Sequence, residues 1–555
     1  MKSAKISGFI KTLKSYSFTE IILTVVFAVV FVYAFLQIVF PPYSPFSSDV
    51  YIEGAVGRVV SLNPLFADLN DTERDITRLV FSGLTKYYPD TQDFRPELAE
   101  YTISDDGMLY TFNIKPDIFW HDGEKLTSQD IYYTFHDVIQ SDDFQNSILK
   151  ANFSKVQIEK KDNLTITFKL SELNTYFLSD LTVGILPYHI LKNVPVKNII
   201  NSDFNKNPVG TGPYEFKSYK EVGDGATVTL KRFDDFYGKK SDIKIVKFLV
   251  FPNSNSISAN LAEFNAVAKV TSEFIDDLRS NQSIKMVSYV LPQYTGLFFN
   301  TEDEILEKKE IRLALAKAID INELAKAIPD RAAVNVGFFE IKTKSQFVRY
   351  DIAKAKQLLD EQDFKIRDKE DKYRKNKEGK ELSVSLVLVK YPPKSYMETE
   401  MQKVADYIFK KWEEIGVKVE VDFLAQDEFN EAIKNSDYSA TVVGESFGYN
   451  MDPFSFWYST QAASNKNTSG GLNFSNYTNY SVDKLVEDMR NIFSKEKRAS
   501  RTTQIIDYFR EDIPVLFLYR PIYYYATDSK FFTGSMMNFV YSADRFWNIS
   551  WWKAR

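Results

Sequence analysis

The sequence predicts an α/β protein carried behind one membrane-spanning helix, and three observations predict it. Ile21 to Phe40 is an apolar run of twenty residues with no charge. Short strands rich in Val, Ile and Phe recur from position 50 onward, and the best amphipathic helix, Thr399–Gly416, runs straight into one of them. Helix and strand alternating along the chain is the pattern of α/β sheets. With 555 residues, 44% hydrophobic and 26% charged, the composition is globular and the length suits roughly three structural units.

The N-terminal run comes first. At about 1.5 Å per residue it spans about 30 Å, the thickness of a bilayer core. Lys2, Lys5, Lys11 and Lys14 precede it, which keeps that end in the cytoplasm. A cleaved signal peptide would have a shorter apolar stretch and a small-residue cleavage site; this one ends in Phe40-Pro41-Pro42. The expectation is a cytoplasmic tail at 1–20, an uncleaved anchor at 21–40 and a stiff Pro/Ser linker at 41–48. The protein is then single-pass, its C-terminal part extracellular or periplasmic.

Beyond the linker the strands are read from period-two alternation and β-branched content. Leu164–Leu170, Lys244–Phe251, Ser383–Val389, Val417–Phe423 and Ser439–Val443 are predicted. In the helix Thr399–Gly416, Met401, Val404, Ala405, Ile408, Phe409, Trp412 and Ile415 recur at helical spacing and Gly416 supplies the stop. Asp351–Gln362 and Val482–Phe493 are weaker helices. Lys365–Glu381 holds thirteen charges of both signs in seventeen residues and reads as a solvated loop.

Composition removes several function classes. Lys+Arg 69 against Asp+Glu 75 gives −6, without the basic excess of a nucleic-acid binder. Zero cysteines exclude disulfides, thiolate metal sites, cysteine nucleophiles and a lipidated N-terminal cysteine. The three histidines, His121, His136 and His189, lack the spacing of a zinc helix. Gly444-Glu445-Ser446-Phe447-Gly448 matches a nucleophile elbow, but no histidine follows it and Pro453 interrupts the helix it needs. Gly210-Thr211-Gly212-Pro213 is too short for a phosphate loop. No enzyme, metal or cofactor is expected.

Four phrases, in order, resemble the family 5 extracellular solute-binding proteins, the peptide/nickel-type receptors of ABC importers. They are Ser61-Leu62-Asn63-Pro64-Leu65-Phe66; Tyr110–Ile114 with Trp120-His121-Asp122-Gly123 and Leu126–Asp130; Asn207–Tyr214; and Leu297-Phe298-Phe299-Asn300 with Ile311–Ala314 and Ala318-Ile319-Asp320. The likeness runs from about Tyr51 to the C-terminus, and it makes His121 and His189 scaffold residues.

The resemblance implies a two-lobed periplasmic-binding-protein-like clamp with an extra subdomain in lobe I. It implies lobe I over 49–63, the extra subdomain over 64–193, lobe I again over 194–301, lobe II over 302–506 and a return to lobe I over 507–555. A solute, oligopeptide-like in this family, would bind in the cleft and pass to an ABC permease and its ATPase subunits. The receptor would act as a monomer, with no nucleic acid involved. The same clamp used as a surface sensor without transport is the alternative.

In the family's peptide receptors an Asp three residues before the acid of a D-P or E-P pair holds the ligand's amine. Here the pair is Asp452-Pro453 and Tyr449 stands at that position. Burying an ammonium without a carboxylate is costly, so free-amine peptides are disfavoured unless Glu445 supplies the charge. The resemblance thus gives Glu445, Phe447, Tyr449, Asp452 and Trp457 as one wall of the site and Asn70 and Asp71 as the other; Phe447, Tyr449 and Trp457 equally suit stacking on a sugar or apolar group, or a place in the lobe II core.

Overall fold

Strand pairing separates the chain into two large sheets. The computed structural model describes residues 49–553 apart from 68–69, 253–255, 258–262, 271–283, 335–346, 394, 450, 466–470 and 529–536. The expected tail, anchor and linker lie outside the described residues. Among the described residues no helix is long and apolar enough to cross a membrane.

The first sheet has seven strands, in the order Ile284–Tyr289, Tyr523–Asp528, Ala266–Val270, Val50–Val56, Ile245–Phe251, Gly225–Arg232, Tyr214–Val222. Its apolar core is continuous with that of a smaller four-stranded sheet, Ala99–Ile103, Leu109–Ile114, Thr165–Lys169 and Gln157–Lys160. The second large sheet has six strands, in the order Arg331–Ala333, Val515–Pro521, Gln293–Phe299, Ala440–Ser446, Ser383–Val389, Lys418–Leu424, and a core of its own. The architecture is a two-lobed α/β fold.

The chain passes from the first large sheet to the second across Val290–Pro292 and returns at Ile522. The resemblance puts these exchanges near Thr301 and Ile506. They fall elsewhere because Gln293–Phe299 takes both its partners, Ala440–Ser446 and Val515–Pro521, from the second sheet. The two crossings lie side by side: Tyr289 pairs with Tyr523, and their rings stack at 5.7 Å.

Local signals explain the second lobe well. The helix Tyr396–Glu414 starts at Ser395, whose hydroxyl accepts from the Glu398 N–H, and buries Met401, Val404, Ala405, Ile408 and Trp412. Trp412 donates its indole N–H to Leu315 O at 3.1 Å. Gly416, at φ +81°, turns the chain into Lys418–Leu424. That strand lies parallel to Ser383–Val389, which completes a β-α-β unit. The charged loop is less solvated than its composition suggests. Arg374 is buried and donates to Ile415 O (2.7 Å), Phe364 O (2.7 Å) and Asp360 (2.6 Å).

Two polar clusters hold the first lobe together. Arg545, 1% exposed, donates to Glu53 and, at 2.6 Å, to Asp75, and its Nη1 donates to Ser542 O at 2.6 Å. Tyr51 donates to Glu53 at 2.6 Å and Ser542 to Asp75 at 3.0 Å, so each buried carboxylate has two donors. This cluster joins the first strand, the helix Asp71–Val80 and the C-terminal segment. The second is at His121. The Gly210 N–H donates to Nδ1 (3.2 Å), so Nε2 carries the proton and donates to Gly212 O (3.0 Å). The imidazole is neutral, and burial pushes its pKa down to about 4.

Candidate functional site

The strand Ala440–Ser446 delivers the first predicted wall. Glu445 pairs with Tyr294 across the sheet and is 3% exposed. The Tyr294 hydroxyl donates to its Oε2, whereas Oε1 is buried with no partner among the described residues. Burial pushes this carboxyl up to about 8, against the opposing Tyr294 bond, so it is mostly neutral at pH 7. Ser446, the elbow serine, is exposed at the strand end and leads into a loop.

Past the strand the chain turns through Gly448 at φ +58°, where a side chain would collide with the Tyr541 hydroxyl. The turn projects Tyr449 out of the second lobe and onto the first. Its hydroxyl donates to Asp544. Its ring meets Tyr541 edge-on at 4.7 Å, Tyr87 at 5.2 Å and Phe94 at 6.1 Å, with the Arg78 guanidinium 6.0 Å away.

The remaining residues of this wall serve the fold. Phe447 packs on Phe456 at 4.6 Å and Tyr294 at 6.3 Å. Asp452 is 6% exposed, accepts from Arg490 at 2.6 Å and from the Phe454 N–H at 3.0 Å, and so fixes the turn into Phe454–Trp457. Trp457, 1% exposed, sits between Phe298 and Phe509 in the second core.

The opposite wall begins the helix Asp71–Val80. Asn70 is its N-cap, accepting from the Thr72 and Glu73 N–H groups, and it donates to Arg58 O at 2.9 Å. Asp71 faces two cations, Arg74 at 2.7 Å and Lys269. Burial, with the nearby Arg545 charge, pushes the Lys269 ammonium down to about 7. Arg74 in turn stacks on Tyr541 at 4.2 Å. The two predicted walls are therefore joined by contact through Asp71, Arg74, Tyr541 and Tyr449. Glu445 is reached separately: its neighbour Ser446 lies opposite Gln293, whose amide donates to Tyr523 at the crossing.

Sequence reasoning missed Arg74, Arg78, Lys269, Tyr541 and Asp544. They come from distant segments and carry no motif. Further contacts tie the lobes, from Lys495 to Asp93 (3.0 Å) and from the Thr175 N–H to Arg490 O (2.9 Å). The arrangement has paired charges, aromatic rings and a neutral carboxyl. Among the described residues no cluster of His, Cys, Asp and Glu could hold a metal ion.

Three comparisons place this geometry among known proteins. The family model of the bacterial extracellular solute-binding proteins, family 5 Middle, matches residues 93–468. The oligopeptide-binding protein AppA of Bacillus subtilis is 26% identical over 523 residues, covering 91% of each chain. Its solved structure with a nonapeptide superposes with TM-score 0.72 at 24% identity, over 91% of this chain and 99% of that one. NikZ of Campylobacter jejuni, solved with Ni(L-His), also gives TM-score 0.72 at 23% identity, over 92% of this chain and 100% of that one.

Proposed function

The chain belongs to the family 5 bacterial extracellular solute-binding proteins, and from that premise we propose that it captures an oligopeptide-like solute between its lobes and delivers it to an ABC permease with its ATPase subunits. One observation carries the proposal. Two separately cored lobes are joined by two short, adjacent crossings, and side chains of both lobes meet at Tyr449. A cleft between two bodies that rotate about such a joint is where a solute gains contacts with both at once. The likeness to an oligopeptide-binding protein over nine-tenths of the chain supports the solute class.

In this proposal Asp71, Tyr449 and Glu445 contact the solute, while Asn70, Phe447, Asp452 and Trp457 hold those three in place. Glu445 is neutral at pH 7 unless an ammonium approaches it, so a free-amine solute must ionise it on binding. Residues 21–40 serve as the membrane anchor, standing in for the lipid that a chain without cysteine cannot carry.

The test is to purify the full chain from its native host and identify by mass spectrometry what denaturation releases. Small-angle scattering of the stripped and reloaded protein follows. Released peptides and a smaller radius of gyration on reloading are the expected results. A protein that releases no solute, and whose thermal midpoint no member of a random peptide library raises, refutes the proposal.

A further inference from the structure

The strand Ala266–Val270 does not keep its alternation, and the irregularity aims one lysine. Ala266 and Ala268 belong to the main core of the first lobe, whereas Val267 and Val270 share a smaller core with Ala526. Residues three apart share a face of a strand only where an extra residue is inserted. The register shows the insertion: Val267 lies opposite Ala526 and Val270 opposite Tyr524, so Ala268 and Lys269 together stand against Tyr525. Lys269 takes the left-handed turn of this bulge, at φ +54°. That conformation suits glycine and is uncommon for lysine. It turns the side chain to an ion pair with Asp71 and to the Tyr523 ring at 5.0 Å.

A solute can reach this position. Ala266–Val270 runs parallel to Val50–Val56, with Gly54 opposite Val267, so the carboxyl ends of the two strands lie together. Asp71 is at the same end: its neighbour Thr72 donates its hydroxyl to Val56 O at 3.2 Å. Ligands of α/β sheets bind outside the carboxyl ends of parallel strands. Tyr523 follows the crossing at Ile522 into the first sheet, so Lys269 also borders the joint between the lobes. The side chains of Lys269 and Asp71 are 24% and 38% exposed, and a group arriving from solvent meets both.

Asp71 does not answer Lys269 alone. Its Oδ1 accepts from Arg74 at 2.7 Å, and only Oδ2 is left to the lysine. Within this group two cations share one carboxylate, an excess of positive charge. Partial burial and the nearby Arg545 charge push the Lys269 ammonium down to about 7, which one Asp71 oxygen does not offset. An ammonium has three donors, and a second carboxylate beside it would engage another and cancel the excess. Strained backbone is a pointer to function, and a partly exposed ion pair adds too little stability to explain it. We propose that Lys269 is a specificity-determining residue, whose ammonium pairs with a carboxylate of the solute while Asp71 holds it in position. It selects solutes that carry a carboxylate, at a C-terminus or on an acidic side chain, where they meet the first lobe. The proposal rests on the solute binding between the lobes.

The experiment uses the full chain, stripped of solute by unfolding and refolding, which the absence of cysteine permits. Thermal midpoints are followed against three random tetrapeptide libraries: neutral side chains with a free C-terminus, the same amidated, and amidated with one glutamate at any position. Sodium acetate at fixed ionic strength is the fourth probe, a bare carboxylate. Wild type should bind at least one carboxylate-bearing library with an apparent dissociation constant roughly tenfold or more tighter than the neutral amidated one. Lys269→Met should bring that ratio near one, and Lys269→Arg, which keeps the charge, should preserve it. A merely structural loss weakens all libraries alike and leaves the ratio unchanged. Lys269→Gly, suited to the left-handed backbone, stands in for Lys269→Met should that variant not fold. Preference for the free C-terminus alone assigns the terminal carboxylate, and preference for glutamate alone assigns a side chain. A ratio near one in wild type, or the wild-type ratio in Lys269→Met, overturns the proposal and leaves the oligopeptide reading standing. Wild type that ignores every library but answers acetate through Lys269 loses the oligopeptide reading and keeps this proposal; wild type that answers none of the four probes loses both.

Discussion

Replacing Arg545 by Met should destabilise the first lobe in a way that depends on pH. The substitution keeps the length and apolar stem of the side chain but strands Glu53, which is fully buried, beside Asp75. Burial already raises the Glu53 carboxyl above its ordinary 4.5, and the Arg545 charge is what opposes that rise. Without Arg545 the carboxyl protonates on folding. At pH 7 that costs at most about 1.36 × (7 − 4.5), or about 3.4 kcal/mol. Lost contacts to Asp75 and Ser542 add to it, so the total loss is about 3–5 kcal/mol, the usual cost of breaking a buried pair. At pH 5.5 the protonation cost falls to about 1.4 kcal/mol, and the variant recovers about 2 kcal/mol relative to wild type. Urea unfolding followed by tryptophan fluorescence at the two pH values measures both quantities. Adding Glu53→Gln to the variant should restore more than half of the loss at pH 7. A loss below about 1 kcal/mol, or one equal at both pH values, would show that the cluster does not hold the lobe together in this way.

Two further predictions concern single titrating groups. Glu445 has a folded pKa of about 8 against an ordinary 4.5, so the folded state binds more protons between these values and stability falls as pH rises through the window, by at most about 1.4 kcal/mol per unit. Glu445→Gln should flatten that slope in urea midpoints measured from pH 5 to 8; an unchanged slope removes Glu445 as its source. His121 lies the other way: its folded pKa of about 4 is below the ordinary 6.5, so stability falls as pH drops through that window. Nitrogen-15 NMR should find its imidazole neutral at pH 5.5, protonated on Nε2; an imidazolium spectrum there contradicts the Gly210–His121–Gly212 bonding.

Elements governed by local pattern were legible in the sequence. Ser383–Val389 appears as the strand predicted, and the predicted apolar residues of the helix Tyr396–Glu414 and its C-cap Ile415 are buried except Phe409, which is exposed. Which sheet a strand joins was not legible. Gln293–Phe299 is buried on both faces beyond Gln293, and no period within it chooses between partners more than a hundred residues away. The same limit governs the site. Asn70 heads Asn-Asp-Thr-Glu, a capping pattern readable as the start of a helix. Its neighbour Asp71 meets Lys269 only because Ala266–Val270 lies parallel to Val50–Val56. Tyr449 was singled out because it departs from the family's pattern. That it reaches Asp544, 95 positions onward, depends on the two lobes meeting.

In the closure proposed above, the paired crossings at 290–292 and 522 are the narrow axle on which the second lobe turns as a lever. Near the axle, where Tyr289 stacks on Tyr523 and Gln293 bonds to Tyr523, rotation moves atoms little and these contacts travel with it. In the proposed closure, a rotation that separates the lobes breaks the Lys495–Asp93 pair, the Thr175–Arg490 bond and the contacts of Tyr449 with Asp544, Tyr541, Tyr87 and Phe94. Polar contacts of this kind stabilise closure modestly, since an exposed pair contributes about 0–1 kcal/mol and a hydrogen bond about 0.5–1.5 kcal/mol net. Under the proposed function a solute between the lobes adds bonds of this size to the closed form alone, and that difference is what shifts the lever.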